Sequence, residues 1–251
     1  MQQIRVLFDI GNSRVKMALA SRNALLDKAQ SLRCADLNEE RLLASFSALL
    51  ARHGLKPADL AGALLCSVVP EMEAEVSRSI APLLSAPLYS VPRDCPVPLL
   101  NLYQPAQALG SDRLVEAYAA RRLYQAEKLI VVDLGTAITI DCLAGDTFLG
   151  GLILPGPTLA RQSLARTAQL PEVSFPKTAL AFSPGQNTEA CIQTGLFFGL
   201  RSLVAGLVQE SRNYLGRQAM AIGTGGFVHS FRELFDVVRA DLVLEGLRFL
   251  S

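Results

Sequence analysis

What this chain lacks narrows its function before any motif is read. It has no excess of charge of one sign: the formal net charge is +1 and no basic block occurs, so nothing electrostatic points to a nucleic acid or a membrane surface as partner. A small ligand or a protein partner is the expectation that remains. The opening Met1-Gln2-Gln3-Ile4-Arg5 lacks the apolar core and small-residue cleavage site of a signal peptide. No apolar run approaches the roughly 20 residues that cross a bilayer, and both absences point to the cytoplasm. Cys34, Cys66, Cys95, Cys142 and Cys191 are odd in number, scattered and without Cys-x-x-Cys spacing, which argues against a disulfide framework and a zinc site. They read as small hydrophobes in a reducing compartment. His53 and His229 have no metal-ligand spacing. There is no Gly-x-x-x-x-Gly-Lys loop, no Gly-x-Gly-x-x-Gly opening a helix and no kinase catalytic-loop signature, so the common nucleotide folds are unsupported.

What is present is a core-forming composition. Half of the 251 residues are hydrophobic and 19% are charged, which excludes disorder and suits one large domain or two smaller ones. The central run Ile130-Val131-Val132-Asp133-Leu134-Gly135-Thr136-Ala137-Ile138-Thr139-Ile140-Asp141 reads as a buried strand, a tight turn and a second strand. The chain begins with the same device, Val6-Leu7-Phe8-Asp9-Ile10-Gly11-Asn12-Ser13. Two copies of apolar-apolar-Asp-x-Gly-polar predict a duplicated α/β plan, each half a hairpin, a third strand, a helix, a strand and a helix.

The first hairpin is expected over residues 4–9 and 14–20, with a third strand within 25–32. Asp36 or Asn38 caps a helix to about Arg52, 61–69 is a buried strand, Pro70 starts a helix to about Leu84, and 88–91 is a short strand. Pro92, Pro96, Pro98 and Pro105 mark an irregular crossing before a helix that follows Gly110. After the central hairpin come a strand over 147–154 broken by Gly150-Gly151, a helix over 158–168, a loop over 170–185 and a long small-residue helix over 188–215. A strand over 218–222, the glycine turn 223–226, a short helix to Phe235 and an apolar C-terminal segment complete the pattern. The expected domains are 1–108 and 109–251, with an active site in the cleft between them.

Asp9-x-Gly11-Asn12-Ser13, with Lys16 further along, supplies a carboxylate for a metal ion, turn N–H groups that can approach phosphate oxygens, and a cation to neutralise them. An ordinary hairpin uses the same residues. The repeat at Asp133-x-Gly135-Thr136 shifts the weighing, because two buried strands each ending in an unpaired carboxylate are costly unless a cation or a phosphate-bound metal sits between them. In Gly110-Ser111-Asp112-Arg113, Asp112 reads equally as a helix cap or as a proton acceptor for a hydroxyl nucleophile, with Arg113 orienting an anion. Gly223-Thr224-Gly225-Gly226 serves either as a plain turn or as a platform for a ring or phosphate.

Taken in order and spacing, these stretches resemble the acetate and sugar kinase, actin and heat-shock ATPase superfold, and within it the type III pantothenate kinases. The positions that carry the resemblance are Asp9 to Ser13, Tyr103, Leu109 to Arg113, Asp133 to Asp141, Gly151 to Gly156, Asn187-Thr188 and Thr224 to Gly226. It implies two duplicated ribonuclease H-like domains and ATP-dependent phosphorylation of the 4′-hydroxyl of pantothenate, the first step towards coenzyme A. It implies Asp112 as general base, and Asp9, Ile10, Gly11, Asn12, Ser13, Arg14, Val15 and Lys16 as the loop for ATP phosphates and magnesium, with Thr136 at the nucleotide. Tyr103, Gly110, Ser111, Asp112 and Arg113 would hold pantothenate, and Asp133 a monovalent cation, K+ or NH4+. Thr188 is similar to a threonine that completes the pantothenate pocket from the partner subunit of a homodimer. The chain departs from the family pattern at Ser13, where threonine is commoner, at Ala18, where many members have glycine, and at Ile138 within the usual Gly-Thr-Ala-Thr-Thr run. Of these only Ala18 bears on backbone approach to phosphate, and so on ATP affinity.

Overall fold

The computed structural model describes residues 3–167, 170–176, 178 and 180–251. In chain order its strands are β1 (Arg5–Ile10), β2 (Arg14–Ala20), β3 (Gln30–Arg33), β4 (Ala63–Ser67), β5 (Leu88–Val91), β6 (Leu100–Asn101), β7 (Lys128–Leu134), β8 (Ala137–Ala144), β9 (Thr147–Pro155), β10 (Met220–Thr224) and β11 (Val237–Val238). Its α-helices are α1 (Glu39–Ala51), α2 (Pro70–Ile80), α3 (Ser111–Leu123), α4 (Pro157–Thr167), α5 (Thr188–Leu215) and α6 (Leu242–Leu250). Local chemistry sets several ends. The Asn38 side chain accepts from the Arg41 N–H and caps α1, Asn187 does the same for α5 through the Ala190 N–H, and Pro70 opens α2 where its missing N–H costs nothing.

The chain divides into two compact units, one of Met1–Leu99, Gln104–Leu123 and Asp241–Ser251, the other of Leu100–Tyr103 and Tyr124–Ala240. The helix after Gly110 and the C-terminal segment therefore pack with the first unit, whereas a single cut at residue 108 assigns both to the second half. In the first unit the sheet order is β3-β2-β1-β4-β5, with β1 antiparallel to β2 and parallel to β4. Both faces are covered, which is why β1 and β4 read as nearly continuous apolar runs. Val6, Phe8, Ile10, Val15 and Met17 pack with Leu42, Phe46 and Val76 of α1 and α2. On the other face Leu7, Ala18, Leu64 and Cys66 pack with Val115 of α3 and Val243, Leu244 and Leu247 of α6.

The second unit's sheet has the order β11-β10-β7-β8-β9-β6. Read from β9 to β11 it repeats the first sheet strand for strand: a hairpin, a third antiparallel strand, and two parallel strands on the other side, with β6 added to β9. The duplication expected from the two Asp-x-Gly hairpins is thus the plan of both sheets. One face of this sheet is closed by α5, whose Phe197, Leu200, Val204 and Val208 pack on Ile130, Val132 and Ile140.

Four expectations change. The third strand of the first half is confined to β3, with only an isolated bridge from Leu25 to Ala20 upstream. The strand β9 is not broken at Gly150-Gly151: Gly150, at φ 130°, absorbs a register shift opposite Cys142 and Leu143 and pairing continues. Gly223 and Thr224 belong to β10, so the glycine turn begins at Gly225. And α5 is, by length and composition, long and apolar enough to cross a membrane, contrary to the sequence reading, because Arg201 is the only charge over a long stretch; its buried residues belong to the core of the second unit. The helix expected over 158–168 is present as α4, with residue 168 outside the described residues.

α6 meets α3 at Gly246, where an added Cβ would collide with the Val115 carbonyl. Gly246→Ala gains about 1 kcal/mol of helix propensity but forces the two backbones apart, a cost of about 1–3 kcal/mol. The expected net result is a lower midpoint in urea unfolding; a variant as stable as the parent would show that the helices can separate freely.

Candidate active site

Strand alternation aims the first carboxylate. Val6, Phe8 and Ile10 face α1 and α2, so Leu7 and Asp9 face α3 and α6. In register, Asp9 lies between Lys16 of β2 and Cys66 of β4. The Lys16 Nζ is 3.7 Å from Asp9 Oδ2 and 3.2 Å from Oδ1 of Asp241, the residue that precedes α6. Asp9 is therefore not the unpaired carboxylate expected from sequence. Its side chain is only 16% exposed, and burial pushes its pKa from 3.8 up to about 6; Lys16 opposes the rise, while Asp112 and then Asp241 add to it.

The segment Gly110–Arg113 enters the same face at the start of α3. Oδ1 of Asp112 accepts the Arg113 N–H at 2.7 Å, a bond to the next residue within the first turn of α3, not that of a residue preceding the helix and capping it. The carboxylate is also largely buried, and burial raises its pKa although the Arg113 N–H and guanidinium lower it. Gly110 is glycine for a reason: a Cβ there would stand 2.6 Å from Asp112 Oδ1. Ser111 donates its hydroxyl to the Ser67 carbonyl at 2.5 Å, tying the helix start to the end of β4. Arg113 is buried, 5% exposed. Chemically this is a carboxylate held in place and made more basic than one in water, beside a carboxylate and ammonium pair.

In the second unit Asp133 occupies the position in β7 that Asp9 has in β1. It is in register with Thr139 of β8 and Thr224 of β10. Gly225, at φ 90°, lies so close that a Cβ would overlap Asp133 Oδ1, and a Cβ on Gly135 would be 3.1 Å from Oδ2. The glycines of both turns exist to let this carboxylate lie against backbone. Where the first copy puts Lys16 across from its aspartate, the second puts Thr139, whose buried Oγ1 has no hydrogen-bond partner among the described residues. Thr136 sits in the same hairpin turn, its carbonyl accepting from the Gly156 N–H.

The other expected residues are placed as follows. Ile10 and Val15 point into the apolar core, so only their backbone can face a ligand. Gly11 closes the turn through its N–H to the Arg14 carbonyl, and Asn12, Ser13 and Arg14 are exposed, Arg14 donating to Ser31. The Ala18 methyl lies in the α6-facing cluster. Tyr103 follows β6 in the second unit, its N–H bonded to the Asn101 side chain, and Thr188 is the exposed first residue of α5. The structure thus brings Asp9, Lys16, Ser111 and Asp112 together within one unit, and Asp133 and Thr136 within the other. Sequence reading missed Asp241, Thr139 and Ser67. Only Thr139 carried a signal, as the position opposite Asp133 in the repeated hairpin. Among the described residues no group of three or more His, Cys, Asp or Glu side chains is arranged to hold a metal.

Because the fold binds Asp9's proton more tightly than the unfolded chain does, this group's contribution to stability is full below about pH 4 and lost as pH rises through about 6. The ionised group costs the fold up to roughly 3 kcal/mol. Asp9→Asn is expected to melt higher than the parent at neutral pH without nucleotide, with the advantage vanishing near pH 4. Thermal unfolding across this range checks it, and a variant less stable at neutral pH contradicts it.

The family model described as type III pantothenate kinase matches residues 5–210. The chain is 41% identical to a type III pantothenate kinase of Desulfovibrio desulfuricans over 255 aligned positions, covering 100% of this chain and 97% of that protein. Among solved structures it is similar to component A of the (R)-2-hydroxyglutaryl-CoA dehydratase of Acidaminococcus fermentans, with TM-score 0.57, 10% identity and coverage of 99% and 97%. It is similar also to a ROK family glucokinase of Streptomyces griseus in complex with glucose and AMPPNP, with TM-score 0.54, 10% identity and coverage of 99% of both chains. The fold is that of the actin, Hsp70 and sugar kinase group, mixed sheets flanked by helices. With a match over most of its length and a relative aligned from end to end, the chain belongs to the type III pantothenate kinase family.

Proposed function

We propose that this chain transfers the γ-phosphoryl group of ATP to the 4′-hydroxyl of pantothenate, the first committed chemistry towards coenzyme A, with Asp112 as general base. The observation that carries the reading is the convergence of Asp9, Lys16 and Asp112 on one face of the first sheet, beside the exposed turn 11–13. In phosphoryl transfer an enzyme chiefly aligns the nucleophile and neutralises the phosphoryl oxygens. Lys16 and the turn N–H groups meet the phosphates. Asp112, more basic than an ordinary carboxylate and locked by the Arg113 N–H, receives the hydroxyl proton. Arg113, Ser111, Gly110 and Tyr103 are assigned to pantothenate, and Thr136 to the nucleotide.

Asp9 fits magnesium arriving with ATP: its oxygens are hard donors, and such an ion is commonly held through one or two carboxylates together with substrate phosphates. That ion would supply charge neutralisation between the phosphates. Asp133 fits a monovalent cation, K+ or NH4+. In the repeat the position across from the aspartate is Thr139 instead of a lysine, and its buried Oγ1, which has no hydrogen-bond partner among the described residues, offers an oxygen ligand.

A homodimer completes the reading. Much of the apolar helix α5 lies uncovered: Leu203 is 37% exposed, and added Cβ atoms on Gly195, Gly199 and Gly206 would meet only open space. Leu152 and Ile153 of β9 are also exposed. Pairing through this face would let Thr188 complete the pantothenate pocket of the other copy. ATP, pantothenate and a second copy are then the partners, in the cytoplasm, with no role for nucleic acid or membrane.

Asp112→Asn is expected to keep the fold and lose roughly a hundredfold to ten-thousandfold in turnover with ATP and pantothenate; near-parental turnover ends the general-base assignment. Replacing sodium by potassium or ammonium should raise activity, and an enzyme indifferent to the exchange has no cation site at Asp133. Light scattering is expected to give twice the chain mass, whereas a monomer would remove Thr188 from the pocket.

A further inference from the structure

Asp241 stands where a helix cap belongs yet does not cap. It precedes α6 with φ −121° and ψ 47°, its carbonyl accepts the Glu245 N–H, and its side chain makes no bond to the helix N–H groups. The carboxylate turns instead to Lys16, 225 positions away in sequence, and meets the Nζ at 3.2 Å, closer than Asp9 does at 3.7 Å. An acidic residue at this place would normally satisfy an orphan N–H of its own helix. Here it gives up that bond for an ion pair that is 24% exposed on the lysine side and 30% on the aspartate side.

We propose that Asp241 is a positioning residue for ATP, the second anchor that fixes the Lys16 ammonium where it meets the phosphates. The inference rests on the assignment of Lys16 to ATP made above. A lysine side chain has four rotatable carbon links and costs about 2 kcal/mol of rotamer entropy to hold still. With Asp9 alone as partner the ammonium would collapse onto that carboxylate and compete with the metal that Asp9 is to hold. Asp241 approaches from α6 and divides the ammonium between two carboxylates. The packing of α6 on the sheet, through Val243, Leu244 and Leu247, gives that second anchor a rigid base. The C-terminal helix is thereby part of the nucleotide site, though no motif marks it.

The test uses the full-length enzyme and three variants, Asp241→Asn, Asp241→Glu and Lys16→Met, with the double variant of Lys16→Met and Asp241→Asn. Asparagine is isosteric and as good a helix cap as aspartate, so folding of α6 is preserved. Asp241→Asn is expected to raise the KM for ATP and the Kd of a non-hydrolysable ATP analogue by about threefold to tenfold, the size of a partly exposed charged hydrogen bond, with the KM for pantothenate unchanged. Asp241→Glu should restore most of this. The double variant should bind the analogue no more weakly than Lys16→Met alone, since the anchor has no effect without its lysine. Full additivity in the double variant, or equal losses for ATP and pantothenate, overturns the proposal. If Lys16→Met itself leaves analogue binding intact, the assignment of Lys16 fails, an outcome distinct from a Lys16 effect that Asp241→Asn does not share.

Discussion

Asp9 is ionisable, lies next to the end of a strand that is apolar from Val6 to Phe8, and pairs with the ammonium of Lys16. Burial lifts its pKa to about 6 against the attraction of Lys16, and Asp112 and Asp241 bring further negative charge to the same face. A fold selected for stability alone would place a neutral residue there. The arrangement makes sense when further positive charge arrives with a ligand, and phosphates carrying a metal bring both that charge and acceptors for Lys16. Much else in the first unit serves this constraint. α3 delivers Asp112 and α6 delivers Asp241 to the face that Asp9 occupies, and Gly110 is bare so that the Asp112 carboxylate can fold back against it.

The repeat carries the same hairpin twice with different chemistry across from its aspartate. Asp9 and Asp133 hold the same position in sheets of the same order, but the residue across from each differs. Lysine in the first copy builds a cation into the protein. Threonine in the second puts a hydroxyl oxygen there instead, and the proposed monovalent-cation site rests on that difference. The glycines differ accordingly, with Gly135 and Gly225 both closing around Asp133 so that the backbone approaches its carboxylate.

Much of this was legible in the sequence because its signals are local. The two Asp-x-Gly hairpins predicted the duplication, and Asn38, one of two candidate caps, and Pro70 marked helix starts that the structure keeps. Contacts over long sequence distance were not legible. That α3 and α6 pack with the first sheet depends on shape at Gly246 and Val115, and nothing in the run 241–251 announces it. Asp241 was invisible for the same reason, since its partner lies 225 positions away. Asp9 read as unpaired because cross-strand register, which sets Lys16 beside it, is decided by the turn between them. β9 read as broken because Gly-Gly marks a bulge as readily as a strand end.

The central claim is that Asp9's buried charge is completed by metal and phosphate. Calorimetric titration of magnesium with ATP into the enzyme at pH 6, in two buffers of different ionisation enthalpy, measures the protons displaced. With Asp9 half-protonated at that pH, release of about half a proton per site is predicted, falling towards none at about pH 8 and absent in Asp9→Asn. Binding of equal strength with no buffer-dependent heat at pH 6 would contradict the account.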